Sequence, residues 1–167
     1  TIFRNIPLLV QLFVWYYVVP TWLPASLQQW WVNDLGSNTT ALISASIGLG
    51  LFTAARICEQ VRTGIESLPK GQKNAGYALG FTTAQSYRYV ILPVAYRIVW
   101  PTITSESMNI FKNSAVLYAL SVLNFFAYTK TMREETSQDI VILILSTPVY
   151  LIITYTIKAF MAWIEKR

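Results

Sequence analysis

Four apolar runs, Ile6 to Val19, Ala41 to Ile57, Val94 to Leu123 and Ile140 to Ile157, leave this chain little choice of fold. The hydrocarbon core of a bilayer takes roughly 20 mostly apolar helical residues to cross. It holds no water to satisfy backbone N–H and C=O groups, so only helices or a closed barrel can span it. The expected fold class is therefore all-α, a polytopic transmembrane helical bundle forming one domain over residues 1–167. Composition agrees, with 54% hydrophobic and 13% charged residues, against about 25% charged in soluble domains. The first run is short and begins a few residues after Thr1 rather than Met. The expectation is a domain truncated at its N-terminus, with at least one further span upstream. No cationic start, apolar core and small-residue cleavage site follow one another, so no signal peptide is read.

Charge sets the orientation. The segment Thr21 to Thr40 has no Lys or Arg, whereas Glu59 to Pro93 carries Arg62, Lys70, Lys73 and Arg88, and the tail carries Lys158, Lys166 and Arg167. By the positive-inside rule the 59–93 loop and the tail are cytoplasmic. Residues 94–128 are then a single outward passage, longer than a membrane needs. Its polar triplet Lys112-Asn113-Ser114 predicts a helix broken at membrane depth, which is tolerated where backbone is buried in protein or lines a cavity. Pro148 removes a backbone donor inside the last span and predicts a kink. Trp22, Trp30, Trp31 and Trp163 fit interfacial belts, Trp100 lies inside the third passage, and Lys158 can snorkel. In the second span, Ser44, Ser46, Gly48, Gly50 and Ala54 fall at four-residue spacings that admit close helix approach, or reflect ordinary glycine usage in membrane helices.

The same composition thins the functional classes. The chain has no histidine and one cysteine, Cys58, which removes Ser-His catalysis, His-rich metal sites and internal disulfides. No phosphate-cradling glycine loop occurs. Lys112 and Ser114 stand two apart, so on a helix they point to different faces and make a poor dyad. No catalytic residue, metal ligand or nucleic-acid surface is expected, since the net charge of +5 sits at helix ends and in one loop.

Two regions remain. In the 59–93 loop, Arg56, Glu59 and Arg62 are spaced to pair along the end of the second span. Ser67-Leu68-Pro69 then stops that helix, and Lys70-Gly71-Gln72 opens another. Gly and Ala at 75, 76, 78 and 80 give a narrow face, with Lys73 and Asn74 at its rim. Such a face fits a groove on another protein, or packs under its own bundle. In the third passage, Glu106 and Lys112 are charges at a depth where charge is costly, and such residues are functional candidates. Asn109, Asn113, Ser105 and Ser114 add polar capacity. Six residues apart, Glu106 and Lys112 do not share a face of an unbroken helix. A break at Lys112 would leave a buried cation free to meet a substrate carboxylate, whereas an internal Glu-Lys pair would have only a structural role.

The loop resembles the signature of ATP-binding-cassette (ABC) importer permeases: Glu-Ala-Ala, three residues, Gly, nine residues, Ile, one residue, Leu-Pro. Asn74-Ala75-Gly76 occupies the triplet, Gly80 the glycine, Val90 the isoleucine, and Leu92-Pro93 the end. Further matches are Phe3 to Phe13, Gly50 to Arg56, Glu59 to Arg62, Leu68 to Ala75, Tyr87 to Val90 and Lys112 to Ala115. The chain is similar over these segments to type I ABC importer permeases for polar amino acids, in particular those for glutamate and aspartate. After Ala115 the similarity weakens. The resemblance implies a multi-pass subunit of the bacterial inner membrane, contacting membrane lipid and paired with a second permease that is the same or a related chain. It implies an ABC ATPase dimer docked on Gly71, Gln72, Lys73, Asn74, Ala75, Gly76, Gly80, Leu92 and Pro93, with ATP and Mg held there and no cofactor in this chain. An extracytoplasmic solute-binding protein would deliver the amino acid, and Glu106, Asn109, Lys112, Asn113 and Ser114 would be candidates for its path. The alternatives are import of glutamine, arginine or histidine, or a membrane scaffold that only holds a cytoplasmic partner.

Overall fold

The computed structural model describes residues 2–165, apart from the side chains of Ile2, Arg4, Lys70 and Lys73. In chain order the α-helices are α1 (Ile2–Asn5), α2 (Leu8–Phe13), α3 (Ala25–Gln29), α4 (Ser37–Glu66), α5 (Lys70–Ala78), α6 (Thr83–Ser86), α7 (Leu92–Asn113), α8 (Phe125–Thr136) and α9 (Asp139–Glu165). Wider π turns cover Val14–Val18, Trp30–Asp34 and Tyr87–Ile91, and tighter 3₁₀ turns cover Val19–Trp22 and Ser114–Leu120. The chain is thus an all-helical bundle, as its apolar runs require.

Among the described residues, two helices are long and apolar enough to cross a membrane, α4 with 30 residues and α9 with 27. At 1.5 Å per residue α4 is about 45 Å long, so it overshoots the hydrocarbon and carries Glu59, Arg62 and Glu66 on its projecting end. The third passage is bent: the helical run Thr83–Leu120 and α8 meet at 57°. The first apolar segment, Leu8–Trp22, is shorter.

The bend does not fall at the polar triplet Lys112-Asn113-Ser114, where the sequence predicts the helix to break, but farther on, between Leu120 and Phe125; the triplet marks only the change from α-helix to 3₁₀ turn. α7 ends at Asn113, and the chain tightens into the 3₁₀ turn until Ser121 adopts left-handed backbone with φ 59°. Asn124 then closes the gap from both sides. Its Oδ1 accepts from the Ala127 N–H at 2.8 Å, capping α8, and its Nδ2 donates to the Ser114 carbonyl at 2.8 Å. By contrast, α9 remains one helix through Pro148.

Two buried groups hold the bundle. Leu8 and Leu12 of α2, Ala41, Ala45, Leu49 and Phe52 of α4, and Leu117, Leu120 and Val122 around the break form the larger one. The smaller, Leu68, Ile91 and Ala95, lies under the α4–α7 connection. The small residues of α4 divide between two faces. A Cβ on Gly48 would come within 3.0 Å of Leu12 and 3.2 Å of Trp15, so this glycine lets α2 approach. Ser44 is buried on the same side, whereas Ser46, Gly50 and Ala54 are exposed.

Candidate functional site

The α4–α7 connection is built by consecutive stop and start signals. Ser67 closes α4 by donating its hydroxyl to the Gly64 carbonyl at 2.8 Å. Pro69, which cannot continue that helix, stands at the N-cap of α5. α4 therefore persists to Glu66 and stops at Ser67-Leu68-Pro69, as the sequence leads one to expect. At the other end, the Phe81 N–H bonds the Gly76 carbonyl at 3.1 Å and the Gly80 N–H bonds the Tyr77 carbonyl at 2.9 Å. These are the paired bonds of a Schellman C-cap, which requires left-handed backbone at Gly80, observed at φ 78°. Thr82 and Gln85 then cap α6 reciprocally.

This geometry gives the loop glycines different tasks. A Cβ on Gly76 would lie 2.4 Å from the Ser86 hydroxyl, so Gly76 is where α5 presses on its own chain. Around Gly80 the space is open, and the expected close contact there is not made within the chain; its constraint is the backbone angle. The small-residue face thus splits. Gly76 packs inward, while Gly71, Asn74, Ala75, Ala78 and Gly80 stay exposed beside Leu79, which is 72% exposed. Gln72 is half-buried and the Lys73 side chain lies outside the described residues. Leu92 and Pro93 are exposed in the first turn of α7, directly after the π turn.

The third passage separates its charges. Glu106 is 3% exposed. Its Oε1 accepts from Arg56 Nη2 at 2.8 Å, from Arg56 Nε at 3.1 Å and from Gln60 Nε2 at 2.9 Å. Arg56 is part-exposed and its guanidinium also stands 5.6 Å over the Phe52 ring. A buried carboxylate needs such partners, because desolvation of an unpaired charge costs several kcal/mol. Arg56 is therefore committed to α7, and Arg62 alone serves its own helix, pairing with Glu59 at 2.6 Å and Glu66 at 3.5 Å.

Lys112 is neither buried nor paired with Glu106: it is exposed at the last turn of α7. The helix remains regular between them, and six residues at about 100° each put the two on well-separated faces. Ser114 is also otherwise occupied, its hydroxyl donating to the Phe111 carbonyl at 2.6 Å. Ser105 likewise donates to Pro101 at 3.1 Å. Asn109 and Asn113 are half-buried. Of the polar residues singled out from the sequence, the structure thus leaves Lys112, Asn109 and Asn113 together at the C-terminal end of α7.

Sequence reasoning missed Gln60 as the third donor to Glu106, and Asn124 as the residue that seals the break. The second had a signal, since Asn before a helical run is a strong N-cap. Gln60 had none, because its partner is 46 residues away in sequence.

These features define a helical multi-pass membrane domain with a structured loop between two of its long helices. Residues 1–167 match the family described as binding-protein-dependent transport system inner membrane component, and the chain belongs to that family of permeases. It is 42% identical over 166 residues to the glutamate/aspartate import permease protein GltJ of Escherichia coli strain K12, covering 99% of this chain and 68% of that relative. It is 32% identical over 169 residues to the glutamate/aspartate import permease protein GltK of Escherichia coli O6:H1, with 99% and 72% covered. A solved amino acid ABC transporter with histidines superimposes with a TM-score of 0.73 at 26% identity, over 99% of this chain and 72% of that one.

Proposed function

We propose that this chain is the permease subunit of an ATP-driven importer of acidic amino acids, glutamate and aspartate. The observation that carries the reading is the 42% identity to a glutamate/aspartate permease, joined to a capped polar helix, α5, with exposed small residues. A separate ABC ATPase dimer docks on the exposed face of α5 and Leu79 and supplies the ATP hydrolysis, with its ATP and Mg. A second permease completes the pathway, and an extracytoplasmic binding protein delivers the substrate.

Lys112 is the residue we assign to substrate, with Asn109 and Asn113 beside it. An acidic amino acid carries one carboxylate more than a neutral one, so an ammonium held at the pathway favours it. Glu106 and Ser114 are left out of that contact, since Glu106 Oε1 already accepts three bonds from Arg56 and Gln60 and the Ser114 hydroxyl donates to the Phe111 carbonyl.

The test is uptake by the assembled importer in vesicles. Lys112→Met keeps much of the length and removes the charge. It lowers uptake of glutamate at least about tenfold, equivalent to about 1.4 kcal/mol, and leaves assembly intact. Because Glu106 is neutralised by Arg56, adding Glu106→Gln does not restore uptake. Unchanged glutamate uptake in Lys112→Met, or recovery in the double variant, rules out the substrate contact.

A further inference from the structure

α4 and α7 pack directly against each other. Near the loop end a Cβ on Gly64 would sit 2.2 Å from Val99 Cγ2. Alongside this contact an open cavity of about 340 Å³ is lined by Gln60, Thr63, Gly64 and Ser67 on one side and by Ile98, Val99 and Thr102 of α7 on the other. At the Gln60 end of the cavity the helices are also joined by Arg56, Gln60 and Glu106. Seven residues farther, about 10 Å along the axis, α7 ends at Asn113.

We infer that Arg56, Gln60 and Glu106 form a strut that makes α4 and α7 move as one lever, carrying displacement of the α5 loop to the C-terminal end of α7 at Asn113. This inference rests on the coupling role proposed for the loop. A charged side chain accepting three hydrogen bonds has a narrow geometry, and separating the helices would leave its charge buried without a partner. The strut also spans the two flanks of the loop, 46 and 50 residues apart in sequence. Arg56, Gln60 and Glu106 are thus positioning residues that do not touch the substrate.

The test compares ATP hydrolysed per amino acid imported in vesicles holding the complete importer. Wild-type vesicles that import no amino acid with ATP present refute the proposed function, whatever the strut does. Where the wild type imports, Glu106→Gln and Arg56→Met raise the ATP used per substrate at least about fivefold, with the apparent KM within about twofold of wild type. The exchange Arg56→Glu with Glu106→Arg recovers at least half of the lost coupling. A second measurement replaces the strut covalently: Thr63→Cys with Thr102→Cys, in a Cys58→Ser background, bridged by a short bismaleimide, restores coupling to Glu106→Gln. A raised KM at unchanged ATP per substrate makes Glu106 a substrate contact and overturns the inference. So does loss of assembly in both single variants, which makes the cluster an element of folding only, or failure of the bridge to restore coupling.

Discussion

Gly64→Ala places a methyl carbon 2.2 Å from Val99 Cγ2, with Val99 Cβ at 3.7 Å. Carbon atoms rest at about 3.5–4.0 Å, so the two helices must part or the stiff valine must leave its rotamer. Overpacking of this kind costs about 1–3 kcal/mol, against a gain of about 1 kcal/mol for replacing glycine within a helix. The net expectation for the single variant is a loss of about 0–2 kcal/mol. In a Val99→Ala background the clashing atom is gone and the remaining contact is ordinary. The same substitution then stabilises by about 1 kcal/mol. The coupling between the two sites is therefore about 1–3 kcal/mol, and it can be read from detergent unfolding of wild type, both singles and the double. Additivity within about 0.5 kcal/mol would show that α4 and α7 do not cross at Gly64, removing the near end of the lever.

Gly80→Ala strains the left-handed C-cap by about 1–2 kcal/mol, whereas Gly80→Asn is better tolerated; uptake should fall in that order with the protein still in the membrane, and equal activity in both would refute the backbone reading. Gly76→Val collides with Ser86 on its own chain, so protease nicking of the α5 loop should increase even without the ATPase; unaltered protection would mean α5 is not held there. Asn124→Ala removes the α8 cap and the donor to the Ser114 carbonyl, at about 1–3 kcal/mol, read as a lowered unfolding midpoint that Asn124→Asp only partly relieves. Leu79→Lys puts a charge on the most exposed apolar side chain of the loop and should weaken capture of the ATPase at least about tenfold; undiminished capture would place docking elsewhere.

Much of this architecture is local, and local features were legible. Apolar runs gave the helices, Pro69 and Ser67 the end of α4, and Lys112 to Ser114 the end of the regular α-helix though not the bend, which comes after Leu120. The spacing from Gly80 to Leu92-Pro93 gave the loop, although its glycines looked equivalent and are not. What stayed hidden was which face each side chain takes. Arg56 is spaced to pair along its own helix but reaches Glu106 across the bundle. Lys112 reads as buried from its position in an apolar run yet is exposed, because α7 stays helical past it. Pairings 46 and 50 residues apart depend on how α4 and α7 cross. Pattern within either helix does not contain that crossing.

Uptake by the wild-type importer tests the central claim most directly. The chain is reconstituted with its second permease, its ATPase and its binding protein, and labelled glutamate is supplied outside with ATP on the loop side. The expected result is ATP-dependent accumulation that unlabelled aspartate abolishes and a similar excess of glutamine, arginine or histidine does not, and that disappears when the ATPase is left out. Accumulation displaced by glutamine, arginine or histidine instead of aspartate contradicts the acidic substrate, and no ATP-dependent accumulation of any of these amino acids contradicts the importer itself.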